Sequence, residues 1–355
     1  MTADTRKRWM LYGAYGYTGR LILEQAVKMG QRPVLSGRSR DKLLPLARQY
    51  GLEAMVADPG VPEQLRDALR TVQVVLNGAG PFINTYIPIV EACLDTGTSY
   101  LDITGEIPVF EGIFSYDRRA RDRGICLIPG VGFDVVPSDC LAKYAALKLP
   151  GASMLEIAFV GLKHPSAGTL KTMIEILSKG GIVRRNGAIT PLPLGSGVRK
   201  VRFTNGSFTV MPIPWGDLET AFYSTHIPDI TTYMAYPASI AYAVRLIAPL
   251  VSGLLSVEAV RRAARAAIDK RVSGPDEEMR LRGGSFLWAK VSDKTGKAVE
   301  AWLDTLEGYR FTAVSAVHAV ESVLRLGPTG ALTPSIAFGP DFVLGIEGTK
   351  RYDSL

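Results

Sequence analysis

The sequence predicts an α/β protein: an N-terminal doubly wound parallel sheet of the Rossmann type, then a second α+β domain built on a largely antiparallel sheet. Three observations carry this. A short apolar run, Trp9 to Tyr12, ends in glycines at 13, 16 and 19 and passes directly into a helical pattern. Up to about Pro137, short apolar runs bounded by glycine alternate strictly with helical stretches, the order that builds a parallel sheet with helices on both faces. Beyond that point the period shortens to two and turn signals separate paired runs.

In order, the strands are expected at 9–12, 33–36, 53–58, 74–77, 99–103 and 125–128, with helices at 41–50, 62–70, 90–96 and 114–123 between them. In the second half, 154–162 reads as a strand and 168–179 as a helix. The runs 198–204 and 207–210 alternate around Asn205-Gly206, a dipeptide suited to the positive φ angles of a two-residue hairpin turn. A second pair, 285–291 and 298–306, brackets Asp293 to Gly296, and 311–326 is helical. The expected division is residues 1–140 for the nucleotide domain and 141–326 for the second, with 327–355 packing back on the first.

A chain of 355 residues, 47% of them hydrophobic, can bury a large core and favours two domains. Its three cysteines form no CxxC pair and its three histidines are scattered, so neither a disulfide framework nor a metal site is expected, and a reducing cytoplasm fits. Residues 1–8 are polar and basic and run straight into the first strand, without a signal-peptide pattern. The net charge of +7 points to an acidic ligand or partner, but no basic-aromatic run or DNA-binding motif points to nucleic acid. The apolar stretch 238–260 is broken by Arg245 and Pro249 and is too short to span a bilayer. It reads as a buried or substrate-covering helix pair, with a peripheral membrane patch as the alternative.

In doubly wound sheets ligands bind beyond the carboxyl ends of the strands. The first of these ends spells GxxGxxG, which makes Gly13, Tyr15, Gly16, Tyr17, Thr18 and Gly19 candidate pyrophosphate contacts: Gly13 for the sharp turn, Gly16 for close backbone approach, Gly19 for helix packing. After the second strand stand Arg38, Ser39 and Arg40, where an NAD site would carry a carboxylate for the ribose 2′-hydroxyl. Guanidinium forks match a 2′-phosphate, so NADP(H) is the expected cofactor. Asp58, after the third strand, is a candidate adenine contact or a cap for the turn before Pro59. Three further loops supply Asn77, Gly78, Gly80, Pro81 and Phe82, then Gly105, then Gly132, as cofactor candidates. They also bring Asp102, Glu106, Asp134 and Asp139 toward the place where a nicotinamide would sit. Tyr144 and Lys148 match the YxxxK dyad of short-chain dehydrogenases, but follow the sixth strand rather than the fifth, and read better as a surface pair on a helix.

These motifs resemble the saccharopine dehydrogenase-like oxidoreductases, in the branch that contains the trans-acting enoyl reductases of lipid and polyketide assembly. The likeness rests on the glycine turn through Arg20, Gly37-Arg38, Asn77 to Phe82, Tyr100 to Glu106 and Pro129 to Asp139. It continues at Gly168 to Met173, Pro214 to Asp217 and Thr333 to Ser335. His226 departs from it, standing where glycine is expected. The resemblance implies hydride transfer from NADPH to a C=C bond of an enoyl thioester, or to a C=N bond. Asp134, Tyr223, His226 and the backbone N–H groups near Gly130 to Gly132 are the candidates for polarising or protonating the acceptor. A carrier-bound acyl substrate, an acidic acyl carrier protein steered by Arg118, Arg119, Arg121, Arg123, Arg261, Arg262 and Arg265, and a homodimer are the expected partners. The different-class alternative is a protein that binds NADP as a sensor or scaffold without turnover.

Overall fold

The computed structural model describes residues 8–161, 180–244, 258–271 and 277–355. The chain divides into two compact units, one formed by 1–136 and 309–346, the other by 137–308 and 347–355.

The first unit opens with β1 (Trp9–Tyr12), α1 (Tyr17–Lys28), β2 (Val34–Gly37), α2 (Arg40–Tyr50), β3 (Ala54–Val56), α3 (Pro62–Leu69) and β4 (Val74–Asn77). It continues with α4 (Tyr86–Thr96), β5 (Ser99–Asp102), α5 (Ile107–Phe114), α6 (Asp117–Asp122) and β6 (Cys126–Ile128). All strand pairings are parallel and the order is β3-β2-β1-β4-β5-β6, extended at the β6 edge by β15 (Gly330–Ala331). Buried on both faces, these strands need continuous apolar runs rather than alternation, and β1, β2 and β4 are buried at every position. The single helix expected at 114–123 is two: α5 buries Val109, Phe110 and Ile113, and α6 then starts at Asp117.

The second unit contains most of α7 (Val136–Lys148), then β7 (Met154–Val160), β8 (Gly181–Arg185), β9 (Ala188–Leu192), β10 (Arg199–Phe203), β11 (Gly206–Pro212) and α8 (Asp217–Thr225). After these come β12 (Asp229–Ala235), α9 (Glu258–Arg271), α10 (Glu277–Arg282), β13 (Gly284–Ser292), β14 (Ala298–Leu306) and, at the end of the chain, β16 (Lys350–Tyr352). Its sheet runs β10-β11-β12-β7-β13-β14-β16, with β8 attached to β12 and β9 to β8, and among the described residues only the β12–β7 pair is parallel. Phe203, Tyr233, Trp288 and Trp302 pack in one buried cluster of this sheet. The expected helix 168–179 and the core of the apolar stretch, 245–257, lie outside the described residues.

The hairpin expected around Asn205-Gly206 forms with its turn one residue earlier. Phe203 pairs with Gly206, so Thr204 and Asn205 occupy the turn, and Asn205 does not take the positive φ expected of it. That backbone belongs to a hairpin the sequence reading passed over: β8 and β9 close through Asn186 at φ 49° and Gly187 at φ 79°.

The division between units differs from the expected one at α11 (Gly308–Leu326). This helix joins the first unit because Ala316, Val317, Ala319 and Val320 are fully buried against Ile22, Leu23 and Leu101 of the same core. The last residues in turn belong to the second unit, where β16 completes the edge beside β14. Phe311, fully buried, meets Phe133 edge-on at 6.1 Å between ring centroids. Phe311→Ala should lower the stability of this unit by about 3–5 kcal/mol and Phe311→Leu by less than about 1.5. Urea titration reads both, and unchanged midpoints would contradict the packing of α11 in this core.

Candidate functional site at the strand ends

In the first unit the strand order reverses between β1 and β4, which brings the loops after these two strands side by side. Gly13 takes φ +79°, donates to Ser36 O at 2.8 Å, and leaves no space for a side chain: a β-carbon there would lie 2.8 Å from Ala79 Cβ. A β-carbon at Gly19 would lie 2.3 Å from Gly13 O, so α1 is packed directly onto the turn. One at Gly16 would meet only Gly13 O, at 3.3 Å, which leaves bare backbone otherwise open at the start of α1. No side chain caps α1 and no carboxylate sits in its first turn. The helix therefore begins without a negative charge of its own, at a terminus whose dipole favours one.

After β2, Arg38 is exposed and makes no ion pair with the described residues, while Ser39 stands at the N-cap of α2 without using its side chain as a cap. Arg40 opens that helix. Asp58 acts as a turn cap, its Oδ1 accepting from Gly60 N at 2.8 Å.

The loops after β4, β5 and β6 are tied by one network. Asn77, buried, donates through Nδ2 to Thr85 Oγ1 and to Tyr100 Oη, both at 3.2 Å, and accepts from Ala79 N. Tyr100 donates to Asp102 Oδ2 at 2.8 Å, and Asp102 Oδ1 accepts from Thr104 N and Gly130 N. Glu106 accepts from Phe82 N at 2.9 Å and Ile83 N at 3.0 Å. Two of the four carboxylates expected near the site thus brace backbone. Gly132 packs on Thr312, whose hydroxyl accepts from Phe133 N, and Ser315 donates to Val131 O. These two α11 residues are the anchors sequence reasoning missed, because they lie some 180 residues away along the chain, with separations of 179 and 184.

Asp134 faces Gly105, with Oδ2 2.8 Å from the place of a β-carbon on that glycine. Tyr223 and His226 belong to the second unit. Tyr223 is half-buried on α8, and His226 is the exposed C-cap of that helix at φ +59°, the left-handed position that favours glycine. Tyr144 donates to Asp353, with which Lys148 also pairs at 2.6 Å, so the YxxxK pair is bound to the chain's own tail. A cleft of about 410 Å³ in the first unit, lined by His318, Ser322, Arg325, Phe338 and Phe342 among others, shares no residue with the strand-end loops. Among the described residues no group of His, Cys, Asp and Glu could hold a metal ion.

The first unit is therefore a dinucleotide-binding domain of the doubly wound class, with its crevice at the β1/β4 switch point. Residues 9–128 match the family model of the saccharopine dehydrogenase NADP-binding domain. A trans-acting enoyl reductase of Mycobacterium ulcerans is 37% identical over 140 residues, 37% of this chain and 33% of the relative. A Mycobacterium tuberculosis protein that carries the same name provisionally is 35% identical over 194 residues, 50% of this chain and 46% of its own. The aligned stretch thus spans less than half of either curated relative. The saccharopine dehydrogenase (L-glutamate-forming) of Saccharomyces cerevisiae has the same fold, with a TM-score of 0.66 and 13% identity over 98% of this chain and all of that one. The residues fit the cofactor in that domain's name: open backbone at Gly16, an uncapped α1 and an Arg38 without an ion pair among the described residues are what a pyrophosphate and a 2′-phosphate require.

Desolvation pushes two carboxyls up from their ordinary 3.8, Asp102 to about 6 and Asp134 to about 7. Since each binds its proton more tightly folded than unfolded, the stability linked to it is fully present below about pH 4 and is lost as pH rises to about 7. The Asp134→Asn variant should therefore show a flatter fall in thermal midpoint between pH 4 and 8 than the unmodified protein. Parallel curves would place the Asp134 carboxyl in water.

Proposed function

We propose that the protein is an NADPH-dependent reductase acting on the C=C bond of an enoyl thioester. The observation that carries the cofactor half is the end of β2, where Arg38 and Arg40 are exposed and form no ion pair with the described residues, Ser39 leaves its side chain unused as a cap, and the preceding residue is glycine. The acceptor half is supported by the relatives named trans-acting enoyl reductases. When bound, NADPH would supply the hydride. The chain's part is to hold it: backbone at Gly13, Gly16 and the α1 N-terminus toward the pyrophosphate, Arg38 with Ser39 toward the 2′-phosphate, and the Asn77–Phe82, Gly105 and Gly132 loops toward the nicotinamide. Asp134, whose carboxyl desolvation raises to about 7, is the candidate proton-holding group of this unit. Tyr223 and His226 remain candidates of the second unit.

An acyl carrier protein is the partner this reading favours, but the arginines offered for it are less free than their number suggests. Arg119 forms a bidentate pair with Glu91, Arg121 pairs with Asp117 and Arg261 with Glu258. Arg118 reaches Asp122 at 4.0 Å, and Arg123 is exposed. Any steering field would come from the net +7 of the chain rather than from one helix. No helix of the described residues is long and apolar enough to cross a membrane.

The cofactor test is Arg38→Ala. A lost charge-assisted fork of about 1.5–3 kcal/mol should weaken NADPH binding roughly ten- to hundredfold while leaving NADH binding unchanged. Equal dissociation constants for the two cofactors in the unmodified protein would overturn the cofactor reading. For the acceptor, NADPH oxidation should appear with free and carrier-bound enoyl thioesters and be absent with a cyclic imine or with 2-oxoglutarate plus lysine. Turnover only of the last two would make this a C=N reductase, and stoichiometric binding without any turnover would make it a sensor or scaffold.

A further inference from the structure

The glycine turn contributes one side chain to the end of β2. Tyr15 reaches across from the β1–α1 turn so that its hydroxyl oxygen accepts the backbone N–H of Ser39 at 3.3 Å. Its own proton meets no acceptor among the described residues. The ring lies on the bare backbone of Gly37, where a β-carbon would fall 2.6 Å from Tyr15 Cε1 and 3.3 Å from its hydroxyl. Glycine before Arg38 is thus what lets an aromatic ring occupy this place. The turn behind the ring is fixed as well, by Gly13 N to Ser36 O at 2.8 Å and Gly16 N to Gly13 O at 3.0 Å. A phenol with its oxygen already committed as an acceptor is left as a donor, held at the backbone of Ser39, the residue that directly follows the exposed Arg38 and does not use its own hydroxyl as a cap.

We propose that the Tyr15 hydroxyl donates to the 2′-phosphate of NADP(H), making Tyr15 a second determinant of cofactor choice beside Arg38. The inference rests on the NADP reading of this site. A hydrogen bond to an ionised phosphate is about twice as strong as one to a neutral hydroxyl, so the donor discriminates between the two dinucleotides even though both could accept from it. Tyr15 also holds Ser39 N, and through it the loop that carries Arg38, so the two functions must be separated by experiment.

Tyr15→Phe keeps the ring on Gly37 and removes only the hydroxyl. Isothermal titration with four probes, NADPH, NADH, 2′,5′-ADP and 5′-ADP, should show a three- to tenfold weaker Kd for NADPH and for 2′,5′-ADP. NADH and 5′-ADP should bind as they do to the unmodified protein, and the thermal midpoint without ligand should stay within a few degrees. Equal weakening of all four probes would reduce Tyr15 to a loop support and overturn the proposal, as would no change in any of them. A failure of the underlying reading has a different signature. The unmodified protein would then bind 2′,5′-ADP no better than 5′-ADP, before any variant is made.

Discussion

A carboxylate in the dry interior at the end of β5 decides the shape of the strand-end loops. Asp102 is fully buried, and removing a carboxylate from water is costly unless donors replace the water. Three do so: the Tyr100 hydroxyl and the N–H groups of Thr104 and Gly130. Its main-chain oxygen takes a fourth, from Val131 N at 2.7 Å. Burial still outweighs this compensation enough to raise the carboxyl to about 6. Through Tyr100 the network reaches Asn77 on β4, so the loops after β4, β5 and β6 share one polar knot. Hydrogen-bonded on every side, such a knot is rigid, and the loops it holds are arranged before any ligand arrives.

Around that knot the glycines act by what they leave out. Gly13 and Gly19 let turn, helix and the neighbouring loop approach to distances a methyl group would forbid, and Gly132 does the same toward α11. The carboxylates that do not brace backbone are few. Glu106 spends both oxygens on the turn at Phe82 and Ile83, and Asp58 caps its own turn. What remains for a ligand is mostly backbone N–H groups and basic or hydroxylic side chains, an environment suited to phosphates.

Much of this was legible along the chain. The glycine spacing, the apolar runs of β1, β2 and β4 and the absence of an acid after β2 are local signals, and local signals survive translation into structure. The hairpin at 199–212 was visible too, though a dipeptide with strong turn preference did not set its register; pairing of Phe203 with Gly206 did. The misplaced boundary at α11 has a different cause. An amphipathic helix announces that it has an apolar face but not which sheet that face will cover, and Thr312 and Ser315 look like ordinary helix residues until the β6 loop lies against them. The roles of Asp102 and Glu106 were hidden for the same reason: a carboxylate at a strand end looks the same whether it faces a ligand or a backbone N–H.

The placement of α11 has a consequence for biogenesis. As the chain is synthesised β1 to β6 precede α11, and the face of their sheet that α1 and α2 cover in part lacks its third helix until more than 170 further residues have been made. During that interval the second unit is synthesised in full apart from its last strand, while Leu23, Leu101 and Ile128 wait for Ala316, Val317 and Val320. The nascent first unit therefore carries a strip of apolar surface, between helices already in place, that stays open to water until the closing helix arrives.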